Sequence, residues 1–172
     1  MRPTSLRMGA LVATGVFALA ASTPADASSG QRIRLLDDCE VESFEAALGA
    51  GACVGDGGTE FDELIEELEE DGEHNKWATN PEKTHIEHGE SLRVVNKGGE
   101  VHSFTHVKGF GAGCVPELNA ILGLDGPPVS DCSQVRILFH NDHMKVHRLK
   151  PGKHRFQCMV HPWMHTTVKV RR

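Results

Sequence analysis

The stretch Phe156-Gln157-Cys158-Met159-Val160-His161-Pro162-Trp163-Met164 decides how the rest of this chain is read. It sets a thiol, an imidazole and a thioether three residues apart, as Cys-x-x-His-x-x-Met. His154 to Gln157 before it and Thr166 to Val170 after it have the texture of β-strands. The three side chains therefore sit on a tight loop between two strands, which can turn them toward one point. A thiolate, two imidazoles and a weak axial thioether are the ligand set of a blue-copper site. Soft sulfur favours Cu(I) and imidazole accepts Cu(II), so one ion can change oxidation state with little rearrangement.

The set lacks one imidazole. His102, in Asn96-Lys97-Gly98-Gly99-Glu100-Val101-His102-Ser103-Phe104, lies where a turn passes into a strand and is the candidate. His106 shares that strand and its face, but at roughly 13 Å from His102 the two cannot hold one ion together. His165 follows Met164 and is expected to face the other side once the strand begins. The expected metal ligands are thus His102, Cys158, His161 and Met164.

Working outward, the chain from Lys76 onward reads as short strands. They are expected at His85–Glu87, Ser91–Asn96, His102–Val107, Arg136–His140, Lys145–Leu149, His154–Cys158 and Thr166–Val170, separated by Gly, Pro, Asn and Asp. Strands at such spacing predict a sandwich or barrel. Gly109 to Cys132 reads as a long Gly- and Pro-rich loop with a short apolar turn at Leu118–Leu122.

Upstream, residues 37–73 hold fifteen Asp or Glu and no Lys or Arg, whereas 74–172 hold eight acids and fourteen bases. Within the acidic segment Phe61, Leu64, Ile65 and Leu68 recur at helical spacing, after a Thr59 that suits an N-cap and before Asp71-Gly72. A shorter helix is expected from Glu40 to Leu48, with Phe44 and Leu48 facing inward. Acid runs of this kind otherwise mark a solvated helix face.

Near the N-terminus, Arg2 and Arg7 flank an apolar run from Met8 to Ala21, followed by Ala25-Asp26-Ala27. That is the pattern of a secretory signal peptide over residues 1–27. Its apolar core is too short for a membrane span, and no cysteine near the cleavage site offers a lipid anchor. A mature chain of 145 residues and net charge −7 is expected, long enough for a proper core. Its acidity argues against nucleic-acid binding. Export to the periplasm or the exterior places all five cysteines in an oxidising compartment, where four can pair and one is left over. Four cysteines allow three connectivities. Cys39–Cys53 and Cys114–Cys132 are preferred because each closes locally, which leaves Cys158 as the free thiol.

The run Cys158 to Met164, continuing to Val168 and Val170, closely resembles the C-terminal ligand loop of the cupredoxins, with the amicyanin, pseudoazurin and plastocyanin group nearest. Ile86-x-x-Gly89-x-x-Leu92-Arg93-Val94-Val95-Asn96 followed by His102 resembles their strand pair leading to the first ligand, and Pro151 to Cys158 their strand into the ligand cysteine. The resemblance covers about residues 77–107 and 135–171. It implies a Greek-key β-sandwich, with one copper ion cycling between Cu(I) and Cu(II). It also implies that His161 is the ligand nearest the surface, passing electrons through an exposed edge beside Pro162 and Trp163. Val101 and Ser103 stand where the family more often has Pro and Asn. The acidic helical segment and the 109–132 loop have no counterpart in its smallest members. The expected organisation is a signal peptide (1–27), an acidic helical N-terminal extension (28–73) and a cupredoxin-like copper-binding domain (74–172).

Other readings of the same residues are weaker. Cys158 as a buried free thiol, or Met164 as plain packing, leaves the ligand spacing unexplained. Zinc suits Cys and His, but thioether is a poor zinc ligand and Cu(II) outcompetes Zn(II) at such sites. None of the eleven histidines is spaced His-x-His, the pairing used by copper oxidases and reductases of this class, so no enzyme activity is expected. His140, His143 and His147, with Met144, read as a solvated hairpin rather than a second metal patch. The expected function is one-electron transfer between redox partners such as a cytochrome or an oxidoreductase, by a protein without a membrane anchor and monomeric. The alternative is a copper carrier or resistance protein that hands on the ion without redox turnover.

Overall fold

The computed structural model describes residues 30–172, so the signal peptide expected at 1–27 lies outside the described residues. In chain order the elements are β1 (Gln31–Leu36), α1 (Val41–Leu48), α2 (Phe61–Asp71), β2 (Ala78–Asn80), β3 (Lys83–Glu87), β4 (Leu92–Asn96), β5 (His102–Ser103), β6 (Thr105–Val107), α3 (Pro116–Ile121), β7 (Ile137–Leu138), β8 (His143–Val146), β9 (Gly152–Gln157) and β10 (His165–Arg171). Two four-stranded sheets form, ordered β2-β1-β4-β8 and β3-β10-β9-β6, and β5 pairs with β7 in a short third piece. Ile33, Leu35, Leu92 and Val94 of the first sheet share one core with Ile86, Phe156, Val168 and Val170 of the second. The chain is therefore the mainly-β sandwich that its strand spacing predicts. It crosses between sheets at β2–β3, β3–β4 and β8–β9, as Greek-key connections do.

Alternation makes these strands. β10 buries Thr166, Val168 and Val170 and turns Lys169 and Arg171 outward, the period of two that a half-buried strand requires. The helices are made by the 3.6 period: α2 buries Leu64 and Leu68 and stops at Gly72, whose φ of 74° is the left-handed value that glycine accepts. Phe44 of α1 is fully buried, edge-on to Phe61 at 5.3 Å and stacked on Trp77 at 5.9 Å.

Several expectations are corrected. Residues 28–73, read as a helical extension, also contain β1, which lies between β2 and β4 in the first sheet. Ile33 and Leu35 alternate with Arg32 and Arg34, but Leu36 ends the alternation, and so short a run gives no separate signal. Leu48 is 57% exposed, because α1 ends there; Phe44 is the helix's buried residue, with Val41 partly buried against the core. The N-cap of α2 is Glu60 rather than Thr59, whose hydroxyl instead donates to the Asp38 carboxylate at 3.0 Å. The strand expected over His102–Val107 breaks at Phe104, where the chain stops pairing with β7 and begins pairing with β9. The hairpin strand expected from Lys145 starts at His143. The apolar turn at 118–122 is the helix α3, which begins on Pro116.

Both expected disulfides, Cys39–Cys53 and Cys114–Cys132, are present, and Cys158 is free and buried. No helix among the described residues is long and apolar enough to cross a membrane.

Candidate metal centre

Residues 158–164 are the loop of the β9–β10 hairpin, whose last pair is His165 opposite Gln157. The Cys158 amide donates to the Met164 carbonyl at 2.9 Å and the Met164 amide to the His161 carbonyl at 2.9 Å, so the loop is closed upon itself. The register Thr105 opposite Gln157 carries the chain before Thr105 alongside this loop. There the Met159 amide donates to the Ser103 hydroxyl at 2.8 Å. His102 is thereby delivered beside Cys158 from 56 residues away.

The turn before His102 is built by a buried asparagine. The Asn96 amide group donates to the carbonyls of Glu100 and Leu138 at 2.8 and 3.0 Å, and its oxygen accepts from the Gly98 amide at 2.9 Å. Buried polar groups satisfied this completely fix one backbone course.

Three donors converge. His102 Nδ1 and His161 Nδ1 lie 3.9 and 3.7 Å from Cys158 Sγ and 3.1 Å from each other, with all three residues buried. A point in their plane lies about 2.1 Å from each atom, by the circumradius of that triangle, which is a metal-to-ligand bond length. Met164 is 1% exposed and packs in the same core cluster. The structure thus brings together His102, Cys158 and His161, and anchors Met164 beside them through its backbone. His106 and His165 stand apart: His106 lies tilted against His154 and Phe156 at 5.1 and 5.0 Å, and His165 stacks on Phe110 at 4.3 Å.

Two carboxylates that the sequence reading did not single out back the imidazoles. His102 Nε2 donates to Asp37 Oδ2 at 2.7 Å, and His161 Nε2 faces Glu100 Oε2 at 3.4 Å. Asp37, just past the end of β1, also accepts the amides of Gly99 at 2.7 Å and Glu100 at 3.1 Å. Glu100 Oε2 accepts the Trp77 indole N–H at 2.6 Å. With their Nε2 protons directed at carboxylates, both histidines turn Nδ1 toward the thiol, so that a metal ion can take the place of the proton shared there. These donors fit a soft or borderline metal ion, and copper in particular.

Burial raises the pKa of the Cys158 thiol, but hydrogen bonds from His102 and His161, and their charges, outweigh it and hold the thiol well below its usual range. Ser103 and His161 amides add donors to Sγ at 3.3 and 3.5 Å. Burial lowers His161, but Glu100 and the Cys158 sulfur beside it raise it to about 10. Burial likewise lowers His102, and Asp37 with Cys158 reverses that, leaving it raised. The metal-free site holds a thiolate beside a charged His161, whose proton an entering metal ion displaces.

One expectation carried by resemblance is overturned. His161 has no exposed edge: it is 2% exposed, with Glu100 on Nε2 and Trp163 edge-on at 5.3 Å. Pro162 is buried as well, and Trp163 is half-buried. An apolar hollow does lie outside the loop, lined by Phe110, Leu122, Leu124, Pro162, Trp163 and His165.

No protein-family model matches the chain, and no curated protein matches it. Solved structures similar to it include a purple cupredoxin from Nitrosopumilus maritimus, at 12% identity over 82% of this chain and 99% of that one, with a TM-score of 0.45. A mutant plastocyanin of fern is similar at 15% identity over 81% and 99%, TM-score 0.42. Amicyanin from Paracoccus versutus is similar at 17% identity over 57% and 76%, TM-score 0.40. The ligand geometry above stands independently of them.

Proposed function

We propose that the mature chain is an exported type 1 copper protein that carries one electron at a time between redox partners. The observation that carries this reading is the buried triangle of Cys158 Sγ, His102 Nδ1 and His161 Nδ1, sized for one ion. His102, Cys158 and His161 would hold the copper, with the Met164 thioether as the weak fourth donor. Bound copper supplies the one-electron change between Cu(I) and Cu(II). The protein's part is to keep both states in one geometry. The closed 158–164 loop, its tie to Ser103 and the carboxylates behind both imidazoles leave the donors little freedom to move. Water is excluded by burial.

With His161 covered, Trp163 and the apolar hollow beside it form the docking point, and electrons pass across the Trp163–His161 contact. The acidic lobe of α1 and α2 suits steering of a basic partner such as a cytochrome. Export agrees with the signal-peptide pattern and with two disulfides beside one spared thiol.

The test is the copper-loaded mature protein. An intense visible thiolate-to-copper band, a one-Cu(II) EPR signal and reversible voltammetry with retained metal are expected. A colourless protein that holds zinc tightly would rule the copper site out. Rapid surrender of copper to a chelator would favour the carrier reading instead.

A further inference from the structure

We propose that Asp37 and Glu100 are positioning residues whose two buried charges hold the reduction potential of this copper low, an inference that rests on the copper reading above. Each ligand imidazole has its own carboxylate, Asp37 behind His102 and Glu100 behind His161. Their side chains are 1% and 9% exposed, so water does little to screen them. Among the described residues neither makes an ion pair with Lys or Arg. Their other partners are neutral N–H donors: the Cys39, Gly99 and Glu100 amides for Asp37, and the Trp77 indole for Glu100.

The electrostatic consequence has a definite sign. Cu(II) with a thiolate carries one net positive charge, and adding an electron to form Cu(I) leaves the pair neutral. Two anions nearby in a medium of low dielectric stabilise the oxidised, more positive state. They also raise the basicity of the imidazoles and lock their orientation, the usual work of groups behind a metal's ligands. Both come from outside the ligand motif. Asp37 follows β1, and Glu100 is clamped by Trp77, which is itself packed on Phe44 of α1. The N-terminal lobe thereby sets the electronics of the site as well as covering it.

Glu100→Gln is the clean test, because the Trp77 and His161 donors both address the same oxygen, Oε2, which an amide oxygen can replace. Asp37→Asn is the second variant, and Glu69→Gln, on the exposed face of α2, the control. Copper-loaded proteins are compared by voltammetry at one pH, alongside their visible spectra. The metal-free forms are titrated with Co(II), followed by its own absorption bands. Glu100→Gln and Asp37→Asn are expected to keep the thiolate-to-copper band and shift the potential positive, most in the double variant, with Glu69→Gln unchanged. Co(II) should bind about tenfold more weakly or worse in both carboxylate variants. An unchanged or more negative potential in Glu100→Gln, with its band intact, would overturn the proposal, as would loss of copper from both variants. A wild-type protein without the band would instead bring down the copper reading itself, and this inference with it.

Discussion

Cys158 is the residue on which the chemistry turns, because it supplies the one thiolate that the two disulfides leave free. Cys158→Ser is expected to abolish the visible band while far-ultraviolet circular dichroism stays unchanged, since a hydroxyl replaces a thiol in volume but not as a soft anionic ligand. Met164→Leu should retain copper and colour and raise the potential. A weak axial ligand stabilises Cu(II) more than Cu(I), and an unaltered potential would place Met164 outside the coordination sphere. The histidines give a pH dependence with a fixed sign. His161 is held charged up to about 10 in the metal-free protein, so an entering copper ion must expel its proton. Apparent copper affinity should therefore rise with pH toward that value, and loading at pH 7 should release at least one proton per copper, measurable with an indicator dye in weak buffer. Loading without proton release would show that the imidazole is already neutral.

At the scale of elements, close backbone approaches set the site. A Cβ at Gly113 would lie 2.6 Å from the Met159 carbonyl oxygen and 2.8 Å from Pro162 Cγ, both on the ligand loop. Gly113→Ala should push that loop and speed the loss of copper to a chelator; an unchanged rate would show that the approach does not hold the loop in place. Gly113 sits beside Cys114, whose bridge to Cys132 closes a separation of 18 residues and ties down the segment carrying α3. Replacing both cysteines by Ser should lower unfolding free energy by about 3 kcal/mol, read by urea denaturation at unchanged native spectrum. The elements with one strong periodic face were legible in the sequence. α2 repeats Phe61, Leu64 and Leu68 and stops at a glycine. β1 was not legible, because the alternation of Ile33 and Leu35 with Arg32 and Arg34 stops at Leu36, and their burial depends on a parallel pairing with β4 about sixty residues away.

At the scale of the molecule, the acidic lobe and the sandwich are one body. Phe44, Leu64 and Leu68 lie in the same buried cluster as Trp77, Cys158 and Met164. Phe44→Ala should cost about 3–5 kcal/mol, and circular dichroism and the copper band should be lost in a single transition as denaturant rises. Separate transitions would mean that the lobe folds on its own. What the sequence determined by itself is the local part of the site: Cys158, His161 and Met164 share one hairpin loop, so their spacing already implies convergence. The disulfides belong with them, since each closes a short segment. What only the tertiary structure decided is which acids matter and what is covered. Asp37 is one of fifteen acids in its segment, and nothing local separates it from those that face water. It is selected by a β1–β4 pairing that places it against His102 across 65 residues. His161 looks exposed by resemblance and is buried in fact, because Glu100, held by Trp77, closes over it from distant parts of the chain and Trp163 covers it from its own loop. Periodicity and spacing act within a few residues. Burial is a property of every segment that packs around a point, so it appears only when the whole chain has folded.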